Sequence, residues 1–157
     1  GWVDYGVGAL GDMGAHLIDH PVWALGLGAP TSVEASSSKF NGETYPTASI
    51  VYYDFAARGK MPAVRLTWYD GGLLPERPKE MLPDEKIDKG GGVLYIGSKG
   101  KLMHDTYGAK PRLLPTTLMK DFKAPKQLFP RVGKSHELNW ADACKGNGKA
   151  NCSFEHA

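Results

Sequence analysis

The sequence predicts an α+β fold: a predominantly antiparallel sheet with helices packed on one face and the other face available for oligomerisation. Three observations predict it. A helical apolar line runs through residues 10–25, a run of short β-prone segments follows, and a second helical pattern comes near residue 136. Helices segregated from a run of strands favour layers of helix on antiparallel sheet. An antiparallel sheet can leave its second face for a partner.

The first helix is read from Leu10, Met13, Leu17 and Ala24, which line one face between Leu10 and about Leu25. Pro21 interrupts it and should kink it, because proline has no N–H to give the Leu17 carbonyl. Gly26, Gly28 and Pro30 end it. "TSVEASSS" (31–38), "ASIVYYDF" (48–55) and "AVRLTWYD" (63–70) read as strands, the second and third joined at hairpin length by "RGKMP". Residues 71–91 hold three prolines and many charges and read as a long exposed loop. "GGVLYIGSKGKLMHD" (91–105) reads as a hairpin turning at Ser98-Lys99-Gly100, with "KPRLLP" as a last short strand. "KSHELNWADACKG" (134–146) reads as a helix capped by Ser135 and closed by Gly146.

Bulk properties narrow the function classes. At 157 residues the chain has the size of one domain. A net charge of +2 with scattered Lys and Arg offers no track for a phosphate backbone, so nucleic acid is not an expected partner. No apolar run approaches the ~20 residues of a membrane span. The two cysteines, Cys144 and Cys152, fit no zinc spacing and read as free thiols. The chain opens at Gly1 in an aromatic segment and stops at "SFEHA", where Ser153 looks like the N-cap of a further helix. That reads as a piece of a longer polypeptide, with no segment present to report the compartment.

The stretch "GVGALGDMGAHLIDH" (6–20) supports three chemistries. Gly6, Gly8 and Gly11 spell G-x-G-x-x-G, the glycine pattern of a dinucleotide turn, with Glu34 near the distance at which an acid would meet a ribose. Yet "WVDY" is a poor buried strand, and Asp12 would put a carboxylate beside the pyrophosphate. The plainer reading is a tight lead-in to a helix. His16 and His20 stand four apart, a valid zinc pair, but Asp19 is one methylene short of the glutamate that an H-x-x-E-H site needs, and no third ligand stands out. No metal is expected. In the third reading Asp12 and His16 stack one turn apart, with Asp19 continuing the line. Asp12 would lie in the first turn, where the helix dipole favours its charge. A carboxylate that orients an imidazole suits general-base chemistry. The same residues would also serve as an exposed acid and a satisfied surface histidine.

"DYGVGALGDMGAHLIDHPVWAL" resembles a segment of the Gfo/Idh/MocA oxidoreductases, the family of glucose–fructose oxidoreductase and inositol dehydrogenase. There a G-x-G-x-L-x-D-x-G-x-H-x-x-D stretch opens the helix that carries catalytic residues of the C-terminal domain. "RLTWYDGGLLPERP", "GGGVLYIGSKGKL" and "NCSFEHA" also look like segments of bacterial members with a large C-terminal domain. The resemblance covers most of the chain in order. It implies that residues 1–157 are a C-terminal substrate-binding and oligomerisation domain, inactive alone, with the N-terminal Rossmann domain absent from this chain. It implies NAD or NADP as cofactor, held mainly by that other domain, a sugar or polyol as substrate, and a homo-oligomer formed through the sheet. It makes His16 the acceptor of a hydroxyl proton and Asp12 its partner or a substrate ligand. A lysine from an E-K-P motif normally completes the site; no E-K-P occurs here, and "RPKE" at 77–80 is not that motif.

Asp19, Tyr5 and Trp2 are further candidate substrate contacts, since aromatic faces pair with the C–H surface of a sugar. Trp23, Trp140, Tyr52 and Tyr53 read as core or sheet-face residues, and His104 and His136 as surface residues. Trp68 and Tyr69 belong to opposite faces of one strand, and an exposed face carrying Tyr52 and Trp68 would demand a partner. Two alternatives stand beside the dehydrogenase: an NAD-dependent glycoside hydrolase of the same superfamily, and a non-catalytic sheet-mediated dimerisation module.

Overall fold

A computed structural model describes residues 1–87, 90–129, 131–133 and 135–155. It shows an α+β fold in two compact units, residues 1–121 and 122–157. In the first unit a short 3-10 turn (Val3–Tyr5) precedes helices α1 (Gly8–Leu17) and α2 (Asp19–Leu25). Strands β1 (Ser32–Ser37), β2 (Ser49–Phe55) and β3 (Val64–Tyr69) form one antiparallel sheet in that order. Strands β4 (Gly92–Gly97), β5 (Gly100–Asp105) and β6 (Arg112–Leu114) form a second. The six strands thus divide between two three-stranded sheets rather than completing one. No described helix is long and apolar enough to cross a membrane.

The helix breaks where proline chemistry requires. Without an N–H on Pro21 the ladder cannot return to Leu17, and the chain bends at Ile18 between α1 and α2. Ile18 and Val22, one turn apart, meet Tyr53, Phe55 and Leu66 across an apolar cavity of about 220 Å³. The register of the first sheet explains that face. Val51 pairs with Trp68, Tyr53 with Leu66 and Phe55 with Val64, so these alternate residues share the helix side. Val51, Phe55 and Trp68 are buried there.

Tyr52 pairs with Thr67 and Asp54 with Arg65 on the opposite side. Tyr52 and Trp68 therefore do not share an exposed face, which corrects the expectation above. The outer face is polar: Arg65 grips Asp54 through two hydrogen bonds of 2.7 and 2.8 Å and lies 5.7 Å from the centre of the Tyr52 ring. That ion pair, with the Ser32 hydroxyl, holds the Asp54 carboxyl below its ordinary range. Trp23 and Trp140, expected in a core or on a sheet face, are exposed instead.

Helix α2 ends at Gly26 in the left-handed conformation (φ 57°), which a side chain would strain. Its last carbonyls are satisfied from the β2–β3 connection. The Arg58 guanidinium donates to the carbonyls of Leu25, Gly26 and Pro62. A cation at a helix C-terminus is favoured by the dipole, and bonds from a charged donor are stronger than neutral ones. Arg58→Ala is expected to cost about 2 kcal/mol, on the scale of hydrogen bonds to charged groups. Urea unfolding, as a shift in midpoint at unchanged slope, checks it.

The segment 71–91 is a mostly exposed loop where it is described, as its composition predicts, with Pro78 and Met81 buried within it; residues 88 and 89 lie outside the described residues. Met81 is buried with Met103 and Leu114, and Ile87 and Leu94 pack against them. Arg77 donates to the carbonyls of Met81, Leu82 and Glu85, folding the segment back on itself. Glu85 accepts from the Thr116 hydroxyl at 2.5 Å and from the Leu82 amide at 2.8 Å. The Thr116 bond, then the Leu82 bond, hold the Glu85 carboxyl below its ordinary range.

A depressed carboxyl contributes stability that is present above its unfolded pKa and is lost as pH falls through the folded one. Loosening of this segment is therefore expected below the ordinary glutamate range of about 4.3. Thr116→Val should raise the Glu85 pKa toward that range. A carbon-13 titration of the Glu85 carboxyl reads the shift, and an unchanged titration in the variant would disprove the assignment.

The second unit, taken by itself, contains α3 (His136–Cys144). The Ser135 hydroxyl accepts from the Leu138 amide at 3.3 Å, and Gly146 follows the helix with φ 74°, as the capping chemistry predicts. The Asn139 amide bonds Lys149 O and Asn151 N, tying the chain after the helix to its face. Cys144 and Cys152 are exposed free thiols. Of the helix expected to begin at Ser153, residues 154 and 155 form a turn, and 156–157 lie outside the described residues.

Candidate functional site

The glycines of the opening stretch serve packing. The segment before them is the 3-10 turn Val3–Tyr5, so a strand does not feed the turn as a dinucleotide fingerprint requires. Gly8 takes φ 70° under the ring of Tyr45, and a Cβ there would lie 2.8 Å from Tyr45 Cδ1. The Tyr45 hydroxyl donates to the Gly6 carbonyl at 3.0 Å, closing the lead-in to α1. A Cβ on Gly11 would meet that of Val7 at 2.6 Å.

Asp12 and His16 both lie within α1, one turn apart, and both are exposed. The helix opens at Gly8, so Asp12 falls beyond its first turn, contrary to expectation, and the dipole there is weak. No hydrogen bond or ion pair between Asp12 and His16 occurs among the described contacts. Asp19 lies across the break at Ile18, at the start of α2, so the line through residues 12, 16 and 19 is interrupted. Trp2 and Tyr5 are exposed at 57% and 89%. Trp2 is anchored by a β-bridge to Thr44, and neither ring stacks on His16 among the described contacts.

What meets His16 is Tyr107, which none of the motifs read from the sequence marks as a site residue. The Tyr107 ring stands edge-on to the imidazole, 5.5 Å between centroids at 75°. Tyr107 sits in the turn after β5, and that turn is built around Asp105. One oxygen of its carboxylate accepts from the Tyr107 amide at 3.0 Å and the Ala109 amide at 2.8 Å. The Asp105 carbonyl accepts from the Gly108 amide at 3.2 Å, and the Asp105 amide donates to Ala109 O at 3.1 Å. Aspartate mimics a backbone turn in this way, so the position of Tyr107 is locally encoded. Gly108, with φ 74°, leaves room for His20: a Cβ there would lie 2.8 Å from His20 Nε2.

Beside this pair lies a second set of rings. His20 meets His104 edge-on at 5.1 Å, and His104 lies 5.6 Å from Tyr95. His104 was expected at the surface; it is 7% exposed, because β5 turns it with Tyr95 and Val93 toward the helices. Its protonation follows from its partners. Nδ1 lies 2.6 Å from the Asp105 carbonyl oxygen, which only accepts, so Nδ1 carries the hydrogen. In the neutral ring Nε2 is then an acceptor, and the Tyr95 hydroxyl at 3.2 Å donates to it. Burial pushes the Tyr95 phenol above its ordinary range, which keeps that hydroxyl a donor. His20 Nδ1 is buried and without a hydrogen-bond partner among the described groups.

The helix pair therefore turns two faces to two sheets. Ile18 and Val22 meet the first, while His16 and His20 meet the β4–β5 hairpin and the turn beyond it. Among the described residues no three His, Cys, Asp or Glu side chains converge as a metal site. No protein-family model matches the chain, and no curated protein matches it.

Proposed function

We propose that this chain is the substrate-binding and catalytic-half domain of an NAD(P)-dependent sugar or polyol oxidoreductase. One observation carries the reading: His16 stands exposed on α1, beside the equally exposed Asp12 and in contact with Tyr107, while the neighbouring His20, His104 and Tyr95 are wholly or partly buried. An imidazole open to solvent and in T-shaped contact with one ring suits acceptance of a proton from a bound hydroxyl. Asp12, one turn away and accepting only, suits a neighbouring hydroxyl of a polyhydroxylated ring. The resemblance of "GALGDMGAHLID" to the catalytic helix of Gfo/Idh/MocA oxidoreductases supports the same assignment.

The residues of this chain do not fit the cofactor. The glycines at 6, 8 and 11 are packed against Tyr45 and Val7 and follow a 3-10 turn, so NAD or NADP would be held by a separate dinucleotide-binding domain. What this chain contributes is proton acceptance and hydroxyl binding. The test has two parts. The protein together with its dinucleotide-binding domain is assayed for reduction of NAD⁺ and NADP⁺ on a panel of free sugars and polyols. The isolated chain is titrated with the same compounds while the His16 imidazole signals are followed by NMR. Turnover of at least one compound, and movement of the His16 signals by that compound, is the expected result. Release of an aryl leaving group from a glycoside without net reduction of cofactor would favour the glycoside hydrolase instead. Silence in both parts would end the enzymatic reading.

A further inference from the structure

We infer that Tyr107 is the positioning residue of His16, fixing the plane of the imidazole from which a substrate hydroxyl loses its proton; the inference rests on the reading of His16 given above. An exposed histidine on a helix rotates freely about χ2, and only a fraction of its orientations aim a ring nitrogen at a given hydroxyl. The Tyr107 ring restricts that freedom by meeting the imidazole in a T-shaped contact at 5.5 Å and 75°. Pairs of this geometry are favoured through the charge distribution of the rings.

The turn that carries Tyr107 is held by bonds independent of His16. The Asp105 carboxylate holds the amides of Tyr107 and Ala109, and Asp105 and Ala109 close the turn through the backbone. The turn is also seated on the neighbouring histidine: Gly108 lies so close to His20 that a Cβ would come within 2.8 Å of its Nε2. His104, which meets His20 in a T-shaped contact, is fixed in turn by the Asp105 carbonyl and the Tyr95 hydroxyl. Tyr107 is itself 70% exposed, so packing of a core does not account for a large aromatic at this place. Among the described contacts, the ring it meets is that of His16. Preorganisation of this kind acts on the chemical step, because a small misplacement of a reacting group costs rate rather than affinity.

Three variants test the inference: Tyr107→Ala removes the ring, Tyr107→Phe keeps the edge contact without the hydroxyl, and Gly108→Ala displaces the turn while leaving the tyrosine. In the isolated chain the His16 Cδ2–H and Cε1–H signals should carry ring-current shifts that Tyr107→Phe keeps and Tyr107→Ala and Gly108→Ala lose. In the protein assayed with its dinucleotide-binding domain, kcat should fall about tenfold or more in Tyr107→Ala and Gly108→Ala, with KM changed less than threefold and Tyr107→Phe near the parent. Equal losses in Tyr107→Phe and Tyr107→Ala would overturn the inference by assigning the effect to the hydroxyl. Parent-like kcat in Tyr107→Ala, with His16→Ala inactive, would overturn it while leaving His16 its role. An active His16→Ala would remove both. Should Tyr107→Ala fail to fold, Gly108→Ala decides by the same two readouts.

Discussion

Replacing His16 by Ala is expected to lower kcat/KM for sugar or polyol oxidation by about 10²–10⁴-fold, the usual range for loss of a general base. At 1.36 kcal/mol per tenfold this is roughly 3–5 kcal/mol of transition-state stabilisation. The fold should survive, because the ring is exposed and its one described contact is the edge of Tyr107. An aromatic pair of that kind contributes only about 0.5–1.5 kcal/mol. His16→Gln separates proton acceptance from hydrogen bonding: a side-chain amide still accepts a bond but does not take a proton. Both variants should therefore be comparably slow, with near-parent unfolding midpoints. A glutamine variant as fast as the parent would show that the position only binds. Parent-like rates in both would leave the chain a structural or dimerisation module.

How much of this was legible beforehand divides along a physical line. Strands β1 to β6 fall where alternation and turn residues put them, and Ser135 and Gly146 cap α3 as their chemistry requires. These signals are local: period, capping, φ preference. Pro21 likewise foretold the break at Ile18, since the missing N–H is a property of one residue. The division of the strands between two sheets depends on contacts between distant segments, and no window of sequence holds that information. His104 shows the same limit. A histidine near a hairpin end reads as a surface residue, and only the register pairing it with Val93 turns it inward.

The segment 71–91 reads as an exposed loop because proline and charge usually mean solvent, and most of it is exposed; what its composition does not disclose is the burial of Met81. Arg77, gathering three carbonyls of its own segment, makes a folded strap that places Met81 against Met103 and Leu114. In the candidate site, helical spacing puts Asp12 and His16 one turn apart on α1, while their proposed roles come from the resemblance. Tyr107 was missed although "HDTYG" holds a signal that could have found it: an aspartate two residues before the tyrosine and a glycine just after it encode a tight turn that displays the ring.

Asp70→Ala is expected to destabilise the first unit by about 3 kcal/mol, the largest stability loss anticipated for any single polar group here. Asp70 follows β3 directly and reaches back to where β2 begins. Its carboxylate accepts from the Ser49 amide at 2.5 Å, the Ser49 hydroxyl at 2.7 Å and the Trp68 indole N–H at 2.8 Å. Trp68 is 7% exposed, so water does not readily replace the lost acceptor. A buried donor left without a partner costs about 1–3 kcal/mol, and bonds to a charged acceptor lie at the upper end of the hydrogen-bond scale.

The three bonds share one carboxylate and are not additive, which sets the expectation at the low end of their summed range. Asp70→Asn keeps one acceptor oxygen and should lose about half as much. The midpoint of urea unfolding measures both, and faster exchange of the Ser49 amide locates the loss at the β2–β3 end. A loss below about 0.5 kcal/mol in Asp70→Ala would place it among ordinary surface substitutions and refute the anchor. Asp54→Ala is the internal control. Its ion pair with Arg65 lies on the solvent side of the same sheet, where a pair contributes little after screening. The difference between the two aspartates should extend to the site. Trp68 shares the helix side of β2 and β3 with Tyr53, Phe55 and Leu66, the residues that seat Ile18 and Val22. Loosening that side loosens the bend in the helix pair that carries His16, so the ring-current shift of His16 should diminish in Asp70→Ala and persist in Asp54→Ala.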